Sequence, residues 1–132
     1  MKITQESDYA LRAVVNIAEK YPNKIEAKVI AESCDIPLRF LLKLLRKLTK
    51  AHVVRSYRGI NGGYALATNP EDITMASVIE AIEGPIILNK CIQDKELCSN
   101  NRKGKCNISM ELRKIQESLL KELRSRKISD LL

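Results

Sequence analysis

Three cysteines, Cys91, Cys98 and Cys106, stand in a C-x6-C-x7-C run, and a fourth, Cys34, stands apart. The N-terminus has no apolar leader core and reaches acids at Glu6 and Asp8, so the reading expects no secretory peptide and a reducing, cytoplasmic setting. In that setting clustered thiols point to metal or redox chemistry rather than to structural disulfides. Zinc ribbons pair their cysteines as C-x2-C, and no such pair occurs. Three thiolates on one loop suit a soft, larger cofactor, and an iron–sulfur cluster fits. Lys90, Lys95, Arg102, Lys103 and Lys105 would favour the thiolate forms. Three cysteines leave one ligand open. The loop offers Asp94, Glu96 and Asn107, and Asp8 is a further carboxylate if the chain or a partner folds back. Solvent-facing cysteines or a reactive thiol pair are the plainer alternative. Cys34 reads as a small core residue. The single histidine, His52, reads as a helix-end residue and leaves no His-rich site and no Ser-His-Asp engine.

The second constellation is cationic. The 132 residues carry 23 Lys and Arg against 16 Asp and Glu, a formal charge of +7. The whole excess falls between positions 36 and 70, which hold seven basic residues and no acid: Arg39, Lys43, Arg46, Lys47, Lys50, Arg55 and Arg58. A patch of one sign attracts a polyanion, and an ordinary solvated face would carry compensating acids. Five aromatics and no Trp argue against a base-stacking RNA platform. The longest unbroken apolar run is four residues, so no membrane span is expected. No nucleophile–base pair and no phosphate-binding glycine loop appears, so the chain does not read as an enzyme.

These groups need elements to hold them. Ala10, Ala13, Val14, Ile17 and Ala18 predict a first helix from about Gln5 to Lys20. A short helix is expected over Ala27 to Cys34, with Val29, Ile30 and Ala31 inward. Asp35-Ile36-Pro37 breaks it, and a third helix runs to about Ala51 on the stripe Leu41, Leu44, Leu45 and Leu48. Arg39, Lys43, Arg46, Lys47 and Lys50 form one basic face of that helix. Two helices joined by a short turn make a helix-turn-helix, whose second helix can enter the major groove. Val53–Tyr57 and Tyr64–Ala67 predict a hairpin around Arg58-Gly59-Ile60-Asn61-Gly62-Gly63, with Asn-Gly-Gly supplying positive φ. A helix-turn-helix followed by a basic hairpin is the layout of a winged helix. On it Arg39 and Lys43 lie nearest base edges, and Leu42 can touch a thymine methyl. Arg46, Lys47 and Lys50 suit phosphates, and Arg58 suits the minor groove.

A further helix is expected over Thr74 to Glu83, then a polar, structureless stretch from Asn89 to Asn107. A long helix from about Ile108 to Arg126 places Ile108, Leu112, Ile115, Leu119 and Leu123 on one seam, which reads as a dimerisation helix. The expected organisation is a DNA-binding domain over residues 1–84, a Cys-rich loop over 85–107, and a dimerisation helix with its tail over 108–132. The fold class is mainly α, a winged helix-turn-helix with a small β-hairpin wing.

The residues resemble the Rrf-two family of bacterial winged-helix transcription regulators. The likeness rests on Met1-Lys2-Ile3-Thr4, Asp8 to Ala13, Ile30-Ala31 before Ile36-Pro37, and Phe40-Leu41 with Leu44-Leu45. Its most specific parts are Arg58 to Tyr64, Ile73-Thr74 and Ile82 to Pro85, together with the triple-Cys loop. The resemblance implies a homodimer that binds a double-stranded DNA operator, acting as a repressor. An iron–sulfur cluster sensing nitric oxide, redox or iron–sulfur status would set its affinity. It implies Cys91, Cys98 and Cys106 as cluster ligands. In the nitric-oxide-sensing branch the fourth ligand is a carboxylate on the first helix of the other subunit, a position matched here by Asp8. The biogenesis branch uses a His just after the third Cys, where this chain has Asn107. Some members have no cluster and answer to a metabolite or a partner protein; the alternative is such a regulator sensing through cysteine thiols or a partner protein.

Overall fold

The computed structural model describes residues 2–94, 96, 99 and 105–132. The first helix, α1 (Gln5–Glu19), begins where Thr4 accepts the Ser7 N–H, and Glu6 and Asp8 sit in its first turn. It buries Ala10, Ala13, Val14, Ile17 and Ala18, the predicted stripe. These small side chains let α2 (Ala27–Cys34), α3 (Leu38–Lys50) and α4 (Met75–Glu83) pack closely around it.

Helix α2 buries Ile30 and Ala31, whereas Val29 faces solvent. Three consecutive residues span too wide an arc for one side of a short helix to bury them all. Both α2 and α3 stop on a left-handed residue, Asp35 (φ 53°) and His52 (φ 61°). After α3 the Val53 N–H bonds the Leu48 carbonyl and the His52 N–H bonds that of Thr49, each at 3.0 Å. That pair of bonds is a Schellman ending, with His52 where glycine is commonest. His52 is thus a helix-end residue, as expected.

The wing is an antiparallel hairpin of β1 (Val54–Tyr57) and β2 (Gly63–Leu66), with Val54 opposite Leu66 and Tyr57 opposite Gly63. Ile25 bridges the far side of β2 through two hydrogen bonds to Tyr64, at 2.8 and 2.9 Å. Helix α4 opens with a reciprocal Thr74–Ser77 capping box and stops at Gly84.

Two features depart from expectation. The stretch predicted as structureless contains a short helix, α5 (Lys90–Gln93), which packs on α6 (Asn107–Ser125). The tail after α6 also joins the first core. A 3₁₀ turn at Ile128–Leu131 buries Ile128 completely, and Ile128 N–H bonds the Ile73 carbonyl at 2.8 Å. The Met75 N–H likewise bonds the Arg126 carbonyl, and Arg124 pairs with Glu80 at 3.9 Å. Among the described residues no helix is long and apolar enough to cross a membrane.

Candidate nucleic-acid interface and cysteine loop

Helix α3 has two opposed faces. Leu41, Leu44, Leu45 and Leu48 are buried against α1, α2 and α4, so the opposite side must face solvent. Arg39, Lys43, Arg46 and Lys50 are exposed there. Arg39 stacks its guanidinium over Phe40, 4.9 Å from the ring centroid.

Lys47 sits on the flank. Its ammonium lies 3.6 Å from Glu6 and donates to the Ile82 carbonyl at 3.4 Å, so it points along the seam between α1 and α4. Lys43 reaches the same Glu6 at 3.9 Å. Among the described residues Glu6 thus supplies a counter-charge to the basic face, delivered by another helix and invisible in a window along the chain.

On the other flank, Leu38 and Leu42 are exposed and line a shallow cleft with Tyr57, Gly59 and Ile60 of the wing. Arg55 and Arg58 are exposed on the hairpin. Lys24 joins them with its ammonium 4.9 Å from the Tyr57 ring, a cation outside the window read from the sequence. Within the loop, positive φ falls on Gly59 (99°) and on Gly63 (155°) rather than on the Asn61-Gly62 pair. Gly62 is required for space, since a Cβ there would lie 2.6 Å from the Tyr57 carbonyl oxygen.

The thiols are divided. Cys91 lies on α5 and Cys106 immediately precedes α6, both half-buried, on two helices that pack together. Cys98 lies outside the described residues. Asp8, half-buried on α1, is held by Arg12 at 2.6 Å and receives Gln5 Nε2 at 3.5 Å. Among the described residues no three His, Cys, Asp or Glu side chains are grouped to hold a metal, so Asp8 does not meet Cys91 and Cys106 within one chain. Asp94 accepts the Glu96 N–H at 3.0 Å. Asn107 opens α6.

Cys34 packs against the core and donates its thiol to the Arg12 carbonyl at 3.6 Å, in keeping with a small core residue. Burial pushes its thiol above the usual range and Glu19 adds to this, while Arg12 opposes it.

An exposed cationic helix after a left-handed turn, with a basic hairpin beside it, defines a winged helix-turn-helix of the transcription-regulator class. The family described as iron-dependent transcriptional regulator, Rrf2, matches residues 3–132, and the chain belongs to that family. An rrf2-like HTH-type transcriptional regulator of Rhodobacter capsulatus is 37% identical over 94 residues, 68% of this chain and 63% of its own length. The chain thus spans under two thirds of that relative. Among solved structures, CymR, the global cysteine regulator of B. subtilis, superposes with a TM-score of 0.79 at 27% identity, over 99% of this chain and 95% of that one. T. potens IscR gives 0.76 at 25% identity, over 99% and 85%. The relatives named are transcriptional regulators, a family without enzymatic activity.

Proposed function

We propose that the protein is a dimeric, cytoplasmic DNA-binding repressor whose hold on its operator is set by an iron–sulfur cluster. The observation that carries the DNA reading is the outward face of α3: Arg39, Lys43, Arg46 and Lys50 are all exposed, and the positive wing stands beside them. Arg39 and Lys43, early in the helix, read base edges, with Leu42 against a thymine methyl. Arg46 and Lys50 clamp phosphates, Lys47 contributes from the flank, and Arg58 enters the minor groove.

The chain divides by role at residues 84 and 107: a DNA-binding domain, a Cys-rich loop, and a dimerisation helix with its tail. Dimerisation is supported by α6. Gln116 turns toward the rest of the chain, its Oε1 accepting the Leu88 N–H, and Leu112 and Leu123 beside it are half-buried; Ile108 and Ile115 are exposed on an adjacent seam, and exposed Leu119 borders a cleft with Ile3 and Ile87. That leaves an apolar edge suited to a second copy.

Cys91, Cys98 and Cys106 would hold the cluster, and the soft thiolate set fits iron bound to sulfide. The packing of α5 on α6 supports this by placing Cys91 and Cys106 on adjoining elements. The fourth ligand would be Asp8 of a second copy, as the resemblance implies, since among the described residues Asp8 does not group with Cys91 and Cys106 within one chain. When bound, the group supplies a redox- and nitric-oxide-sensitive crosslink between the subunits. This chain's part is to keep the carboxylate on the rigid α1 and the thiols on the packed pair α5 and α6.

A second reading has the same fold without a cluster, sensing through cysteine thiols or a partner. The likeness to the cysteine regulator CymR favours it. Anaerobic purification with iron and sulfide analysis and an absorbance spectrum decides. The cluster reading expects a brown protein with iron and acid-labile sulfide. It also expects that Asp8→Ala folds and dimerises normally but loses its colour faster, since the Asp8–Arg12 pair is half exposed and worth under about 1 kcal/mol. A colourless wild-type protein that still binds DNA would select the second reading.

A further inference from the structure

Ile60 at the wing tip is 100% exposed, and among the described residues the next large apolar side chain, Ile108, is 68% exposed. Single exposed apolar residues are ordinary. The mounting of Ile60 is not. The turn beneath it is closed by the Gly62 N–H on the Gly59 carbonyl at 2.9 Å. Gly62 packs too tightly against the Tyr57 and Gly59 carbonyls to admit a Cβ. The loop end of β2 is clamped by the Ile25 bridge to Tyr64, and a Cβ on Gly63 would strike the Ile25 carbonyl oxygen at 2.8 Å. The loop is thus closed across Gly59 and Gly62 and pinned at Gly63, and the β-branched side chain is itself stiff about χ1. Exposed Arg58 and Asn61 flank it, and no acid occurs from position 36 to position 70.

A stiff apolar point between a guanidinium and an amide, in a wholly cationic segment, matches the chemistry of the DNA minor groove. Its potential draws Arg, its A·T edges present acceptors to an amide donor, and Ile is among the side chains that pry base steps apart there. We propose that Ile60 is a minor-groove wedge that partly unstacks one base step, so that the operator must carry a deformable pyrimidine–purine step beneath the wing. This rests on the reading that the wing meets DNA.

The test begins with duplexes selected from a random pool by the full wild-type chain. Minor-groove footprinting locates the step under the wing, and 2-aminopurine is placed there. Because Ile60 is fully exposed, its replacement leaves the fold intact. Wild-type protein is expected to brighten the probe. Ile60→Ala should bind the selected duplex about tenfold more weakly and lose the brightening. Its salt slope should not change, because no phosphate contact is removed. Ile60→Leu should retain both affinity and brightening. Equal affinity and brightening in Ile60→Ala would overturn the wedge, as would wild-type binding without brightening; either result leaves DNA binding standing. A wild-type chain that retains no duplex overturns the DNA reading and the wedge together.

Discussion

Arg39 and Lys50 carry the same charge on the same side of α3, and their position along the helix separates their work. Arg39 lies in the first turn, where a recognition helix meets base edges, and Lys50 ends the helix near the backbone. Arg39→Ala is expected to cost about 1–3 kcal/mol on the operator and to relax specificity at one base pair. Lys50→Ala should weaken all sequences alike and reduce the salt slope by about one. Competition titrations against mutated duplexes distinguish the two; identical specificity profiles would contradict the assignment. At this scale the sequence was informative about direction. The leucine stripe alone decides which way Arg39, Lys43, Arg46 and Lys50 point. It was silent on Lys47, whose ammonium meets Glu6 and the Ile82 carbonyl, because both come from helices distant in the chain. Lys24 was missed for the same reason, since its place over Tyr57 follows from the hairpin folding back.

The helices and the hairpin are legible because each carries its own signals: the helical spacing of Ala10, Ala13, Val14, Ile17 and Ala18, Asp35-Ile36-Pro37 as a break, the leucine stripe of α3 and the β-prone runs around the wing glycines. The wing glycines read as a tight tip, and within Asn61-Gly62-Gly63 the positive φ falls on Gly63 alone; Gly59, whose carbonyl accepts the Gly62 N–H, is a second positive-φ position that the pattern does not single out. What local pattern could not give is long-range. The tail carries no pattern of its own, yet Ile128 fills the first core and bonds Ile73, while the Arg126 carbonyl accepts the Met75 N–H. Ile128→Ala should therefore destabilise the chain by about 2–5 kcal/mol in urea unfolding. A loss below about 0.5 kcal/mol would show that the tail is not a working part of the core. The same tie holds the end of α6 to Ile73 and Met75, so in the proposed dimer a change in how two copies of α6 meet would reach the recognition helices.

For the whole molecule the account requires two copies. The seam of Ile108, Ile115 and Leu119 stays exposed on a helix whose other side already packs on α4 and α5. Ile115→Glu combined with Leu119→Glu should give a folded monomer by sedimentation and helical content, with operator affinity reduced at least a hundredfold; a persisting dimer would place the interface elsewhere. Symmetry then sets two cationic helix-and-wing units at successive turns of one face of a duplex. The most direct test of that grip is the affinity of the full chain for its selected duplex as a function of salt. With six or more phosphates engaged, affinity should fall by about a thousandfold or more between about 50 and about 200 mM salt, as a straight line on logarithmic axes. An affinity that hardly responds to salt would contradict the claim that this surface holds DNA.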